Sequence, residues 1–201
     1  MEEHVDVDAD SGDTGPGGSV FEFVGGRACL DFVGTVAERR TTALERLRVP
    51  ADLQRWIGQA HLLDRPPAVS AAQLVRAREV REALFAVLAA ALDGTPAPPS
   101  ARELLNTTAL RPPVGLHLGD AGAVERSGDL DAVLSGLVRD CFDLLSGPQR
   151  AALSWCDDER CTRVFVDTSR GRRRRWCGMS GCGDRAKAAA YRRRRAGVPT
   201  G

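Results

Sequence analysis

Four cysteines near the C-terminal end have the residue type and spacing to do chemistry: Cys156-x4-Cys161-x15-Cys177-x4-Cys182, all within 27 residues. Four thiolates match the tetrahedral requirement of a structural zinc ion and leave no coordination position open for water. The expectation is one Zn2+ per chain with a structural role. An iron–sulfur cluster, or four thiols with no metal, are the alternatives for the same residues. Cys29 and Cys141 stand alone on apolar stripes and read as core residues. The first twenty residues lack the apolar core of a secretory signal, so the expected compartment is the reducing cytoplasm.

Charge is divided as unevenly as cysteine. Residues 1–150 carry 15 basic and 22 acidic side chains, whereas residues 151–201 carry 13 basic and 5 acidic. A net +1 therefore conceals an acidic N-terminal part at −7 and a basic C-terminal part at +8. Such asymmetry points to a basic segment that meets an acidic partner, with nucleic acid the first candidate. Arg172, Arg173, Arg174, Arg175, Arg185, Lys187, Arg192, Arg193, Arg194 and Arg195 are the candidate DNA contacts. Arginine supplies 27 of the 28 bases, and its planar fork suits bidentate contact with phosphate or guanine.

The elements that must position these residues are mostly helices. Residues 1–20 hold six acids and no Lys or Arg, and read as a disordered acidic tail. Helices are predicted from Ala28 to Arg40, from Pro50 to Leu63, and from a Ser70/Gln73 capping box to Asp93-Gly94. A second capping box, Ser100/Glu103, predicts a helix reaching Leu110. Alternation over Val114–Leu118 and a return over Ala123–Arg126 predict a hairpin. Asp129 then caps a helix ended by Gly147-Pro148. Past Cys161, Val164–Val166 is predicted as a strand and Arg172–Cys177 as the strand returning against it, with alternate arginines on opposite faces. A helix follows whose first turn supplies Cys182, giving a treble-clef-like finger. The fold class is thus a mainly α domain over 21–150, a small four-cysteine zinc finger over 151–196, and a flexible tail over 197–201. No apolar run reaches the length of a membrane span.

The strings Cys161-Thr-Arg-Val-Phe-Val-Asp-Thr-Ser-Arg170 and Arg174-Arg-Trp-Cys177-Gly-Met-Ser-Gly-Cys182-Gly-Asp-Arg185-Ala-Lys187 resemble the CGNR zinc finger. Gly25-Gly-Arg-Ala-Cys-Leu-Asp-Phe-Val33, with Arg81-Glu-Ala-Leu84, is similar to the helical ABATE domain that usually precedes that finger. The resemblance covers residues 21–195 and implies a bacterial, stress-related transcription regulator. Two positions depart from the family: Asp184 and Gly34 stand where its pattern has Asn.

No His-Glu-x-x-His, Gly-x-Ser-x-Gly or phosphate-cradling glycine motif is present, so an enzyme is not expected. Asp31 and Arg81 fall on helices near core faces, where charges need partners. They are expected either to pair with each other or to bind a small-molecule effector. The reading is a DNA-binding regulator whose helical domain senses an effector, forms a homodimer, or both. The alternative is a zinc-stabilised module for RNA or an acidic protein, without sequence-specific DNA binding.

Overall fold

In the computed structural model, residues 21–120, 122–195 and 197 are described. The acidic tail expected over 1–20, and all but Gly197 of the tail expected over 197–201, lie outside the described residues. Helices α1 (Ala28–Val33), α2 (Pro50–Gln59), α3 (Ala71–Asp93), α4 (Pro99–Ala109) and α5 (Leu130–Ser146) build the larger part. Three two-stranded antiparallel hairpins, β1–β2 (Val36–Ala37, Leu44–Glu45), β3–β4 (Gly115–Leu118, Val124–Ser127) and β5–β6 (Leu153–Trp155, Val164–Val166), join it. Helix α6 (Asp184–Arg195) is the last element. No helix among the described residues is long and apolar enough to cross a membrane.

The longest helix is the best specified. Ser70 accepts from the Gln73 amide at 3.2 Å while the Gln73 side chain accepts from the Ser70 amide at 2.8 Å. Both orphan donors of the first turn are thereby satisfied. Gly94 ends α3 with φ of 67°, a left-handed conformation that glycine adopts without strain. Leu74, Ala77, Val80, Leu84 and Leu88 of its stripe are buried against α1, α2 and α5. Asp129 caps α5 through the Ala132 amide at 2.8 Å, and Cys141 on that helix is fully buried with Cys29 of α1.

Four boundaries differ from expectation, each for a local reason. Helix α1 stops at Val33 instead of continuing to Arg40, because the Thr35 hydroxyl bonds back to the Phe32 carbonyl and Val36 pairs with Glu45 across β1–β2. Helix α2 ends at Gln59, short of Leu63, since His61 turns to a positive φ of 52°. The Ser100/Glu103 capping box does not form. Pro99 occupies the first helical position of α4, where its fixed φ and missing N–H suit it, and Ser100 falls inside the helix. Finally, the partner of β6 is β5, upstream of the first cysteine pair, and residues 172–177 form no strand. Arg172 takes a positive φ of 49°, and the Asp167 carboxylate holds the amides of Ser169 and Arg174 at 2.8 and 2.9 Å. That turn leaves no free edge to pair, so the expected alternation of Arg172–Arg175 across a strand is not realised.

Strand β6 is a shared wall. Val164 and Val166 point into the helical core, while Phe165 between them packs with Cys156, Cys177 and Cys182 in a second, smaller core. The chain entering at Phe21 is built into the same junction. The Val166 amide donates to the Gly25 carbonyl at 2.9 Å, and Val24 packs on the cysteine core.

Candidate metal centre

Each cysteine is delivered by a different piece of local structure. Cys156 follows β5, and its amide bonds the Arg163 carbonyl at 3.0 Å; Cys161 closes a tight knuckle through the Asp158 carbonyl at 2.8 Å. Cys177 ends the 167–176 turn, its amide 3.4 Å from the Cys156 sulfur. Cys182 lies in a wide turn over Met179–Gly183 that needs Gly181 at φ 91°, just before α6 and not within its first turn. All four Sγ atoms lie within 4.8 Å of one another, and three of the four cysteines are buried. The Cys161–Cys177 and Cys177–Cys182 sulfurs are 3.8 and 3.6 Å apart. A tetrahedron with Zn–S bonds of about 2.3 Å has edges of about 3.8 Å, so the donor set fits zinc.

The thiols also need a cation. Hydrogen bonds from Cys161 and Cys177 hold Cys156 as a thiolate, lowered to about 2. Burial and then the charges of Cys161 and Cys156 push Cys182 up to about 12, and donating to Cys156 drives Cys177 above the usual thiol range. Four negative sulfurs this close are sustained by a divalent ion, which lets the remaining protons leave. Zinc held there by Cys156, Cys161, Cys177 and Cys182 would fix the fold of this segment and supply no open coordination position.

Arginines brace the site from two sides. Arg174 lies over the Phe165 ring at 4.5 Å and donates to the carbonyls of Trp176, Val24 and Cys177. Arg185 donates to the Cys182 sulfur at 3.0 Å and to Asp158 at 2.8 Å. A knuckle, a turn, a sulfur set and a basic helix in this order invite comparison with known proteins. Residues 26–148, more than half of the chain, match the family ABATE, described as "Putative stress-induced transcription regulator".

The chain belongs to the ABATE family.

Residues 153–195 match the CGNR zinc finger, so the ABATE domain is followed by the finger that the resemblance implies. No curated protein matches the chain. With the family known, its two departures can be placed. Gly34 ends α1, and a Cβ there would stand 3.5 Å from Nε of Arg163, a buried atom without a hydrogen-bond partner in the described structure. An Asn at this position would stand beside that Nε. Asp184 is exposed at the start of α6, where the helix dipole favours a carboxylate, and lies 3.7 Å from Lys187.

The ten basic residues singled out from the sequence of this ABATE protein do not form one set. Arg174 and Arg185 direct guanidinium nitrogens at the metal centre, Arg185 from an exposed position. Arg175 pairs with Asp157 at 2.8 Å and Arg172 donates to the Ala151 carbonyl at 3.2 Å, though both remain exposed. Arg173, Arg192, Arg193 and Arg194 are exposed and have no ion pair among the described residues, and Arg195 reaches only the Tyr191 hydroxyl. Arg170, exposed at the tip of the same turn, belongs with the free group. Its place in the Ser-Arg turn was the available signal.

Asp31 and Arg81 are not brought together. Arg81 is buried and makes a bidentate pair with Glu45 of β2 at 2.8 and 2.6 Å, with Thr35 and Glu82 as further partners. Asp31 instead accepts the Gly25 amide at 2.8 Å. Burial raises its carboxyl to about 6 against the pull of that hydrogen bond. The expected direct pair is therefore replaced by Arg81–Glu45.

Proposed function

We propose that this ABATE protein is a DNA-binding transcription regulator that presents α6 and the 168–173 turn of its finger to a duplex. The observation that carries the reading is α6 itself. It has no buried residue, ends in four consecutive arginines, and is held to the body at its metal-proximal end. Twelve residues make a rod about 18 Å long, of a width that a major groove of about 12 Å admits. Arg192, Arg193 and Arg194 are exposed and have no carboxylate partner among the described residues, which leaves them available for phosphate contacts.

On this reading the chain acts by binding, and no residue is assigned a catalytic role. The helical domain supplies effector sensing or dimerisation, with the strand shared between the two cores as the route by which either would reach the finger. The test is duplex binding by the zinc-loaded protein across salt concentrations, with acidic polypeptide as competitor and a pool of duplex sequences. If about five arginines reach phosphates, log K falls with log salt at a slope of about −4 to −5. Changing Arg193 and Arg194 to Ala should flatten that slope by about 2 and weaken all sequences alike. Affinity that ignores salt would overturn the arginine assignment, and affinity that acidic polypeptide abolishes with no sequence preferred would instead support the RNA- or protein-binding alternative.

A further inference from the structure

We propose that residues 1–20 of this chain dock on the exposed face of α6 and compete there with nucleic acid. The competition rests on the duplex-binding reading above, while the docking stands on charge and connectivity alone. The face is unpartnered: Arg192, Arg193 and Arg194 have no ion pair among the described residues, and three of the finger's carboxylates are committed elsewhere. Asp157 pairs with Arg175, Asp158 with Arg185, and Asp184 with Lys187.

The occupant is identified by its charge. Glu2, Glu3, Asp6, Asp8, Asp10 and Asp13 lie in a segment that has no Lys or Arg, in the same chain as a C-terminal part at +8. Its point of attachment is equally telling. Glu22 forms an ion pair with Arg163, two residues past a cysteine ligand, and Arg174 donates to the Val24 carbonyl at 2.9 Å. Segment 1–20 thus joins the body at Phe21, which packs by Arg55 of α2, three residues before Val24 on the cysteine core. Twenty residues span at most about 70 Å, against a helix of about 18 Å, so the reach is ample. A tether this short sets an effective concentration of about 1 mM. Even a contact with a dissociation constant of about 0.1 mM would then reduce duplex affinity about tenfold.

The chain offers a direct probe, because Lys187 on α6 is its only lysine. Zero-length carbodiimide coupling of the full-length, zinc-loaded protein, read by peptide mass spectrometry, should link acids of segment 2–13 to Lys187 within one chain. The second measurement compares duplex affinity of the parent with a full-length variant carrying E2Q, E3Q, D6N, D8N, D10N and D13N. The variant should bind about tenfold tighter at low salt, with the gain vanishing as salt screens the contact. Absence of the Lys187 link overturns the docking. A link without tighter binding by the variant overturns the competition. If neither protein binds any duplex, the duplex-binding reading itself fails and takes the competition with it, while the link still decides the docking.

Discussion

Arg81→Met removes a guanidinium that the fold has buried to 3% exposure, and the cost can be worked from the partners left behind. Glu45 loses two charge-assisted bonds at 2.8 and 2.6 Å, and the Thr35 hydroxyl loses one at 3.1 Å. Hydrogen bonds to charged groups contribute about 1.5–3 kcal/mol each. Glu45 retains 29% exposure, so its orphaned carboxylate can take water and the cost sits low in the range, at about 3 kcal/mol. Glu45→Gln leaves Arg81 the Glu82 carboxylate at 2.9 Å and should cost less, about 2 kcal/mol. The double variant should lose about 3 kcal/mol, not the additive 5, a coupling of about 2 kcal/mol. Arg81→Met with Asp31→Asn should be additive within about 0.5 kcal/mol, since the two side chains share no partner. Urea unfolding followed by far-ultraviolet circular dichroism measures all of these. Additivity for Arg81 with Glu45, or a larger coupling of Arg81 to Asp31, would refute the partner assignment.

Cys177→Ser should abolish stoichiometric zinc while leaving most helical signal, but with a lower urea midpoint as Val164 and Val166 lose their frame; full zinc content would disprove the ligand set. Asp31, raised from the ordinary 3.8 to about 6, is favoured protonated in the fold, so its contribution to stability is lost as pH rises between those values. Relative to the parent, Asp31→Asn should therefore gain up to about 3 kcal/mol between pH 4 and pH 7, and a pH-independent difference would contradict the burial argument. Arg185→Gln removes the donor to the Cys182 sulfur and should weaken zinc retention against a chelator about tenfold. Unchanged retention would refute the bracing of the metal centre by Arg185.

What could be read in the sequence was whatever local chemistry decides. The Ser70/Gln73 box and Gly94 set both ends of α3, Asp129 starts α5, and the cysteine spacing marked the metal centre because four thiolates satisfy a tetrahedral ion. Non-local choices were not legible. Val36 is apolar whether it continues α1 or pairs with Glu45, so periodicity alone overextended the helix. Nothing near β6 says that its partner precedes the knuckle at Leu153–Trp155 instead of following it at Arg172. Five arginines of the 170–175 turn look alike in a string, yet Asp167 fastens the backbone so that Arg174 turns inward and Arg173 outward. Arg81 demanded a carboxylate, but Glu45 lies on a two-residue strand 36 positions away with no pattern to announce it.

The strand shared by two cores makes the boundary between the matched segments, at 148 and 153, a poor place to cut. Zinc fingers are often treated as beads, transferable from one host to another because each carries its whole interior. This one does not: two of the three residues of β6 pack into a neighbour made of helices, and a graft onto a different partner would expose Val164 and Val166 as a sticky seam. Recombination that separates finger from helices is thereby penalised at the level of solubility. The two parts are expected to travel through evolution as a single inherited unit, with sequence drift on one face of β6 answered by drift in the Pro148–Ala152 turn packed against it.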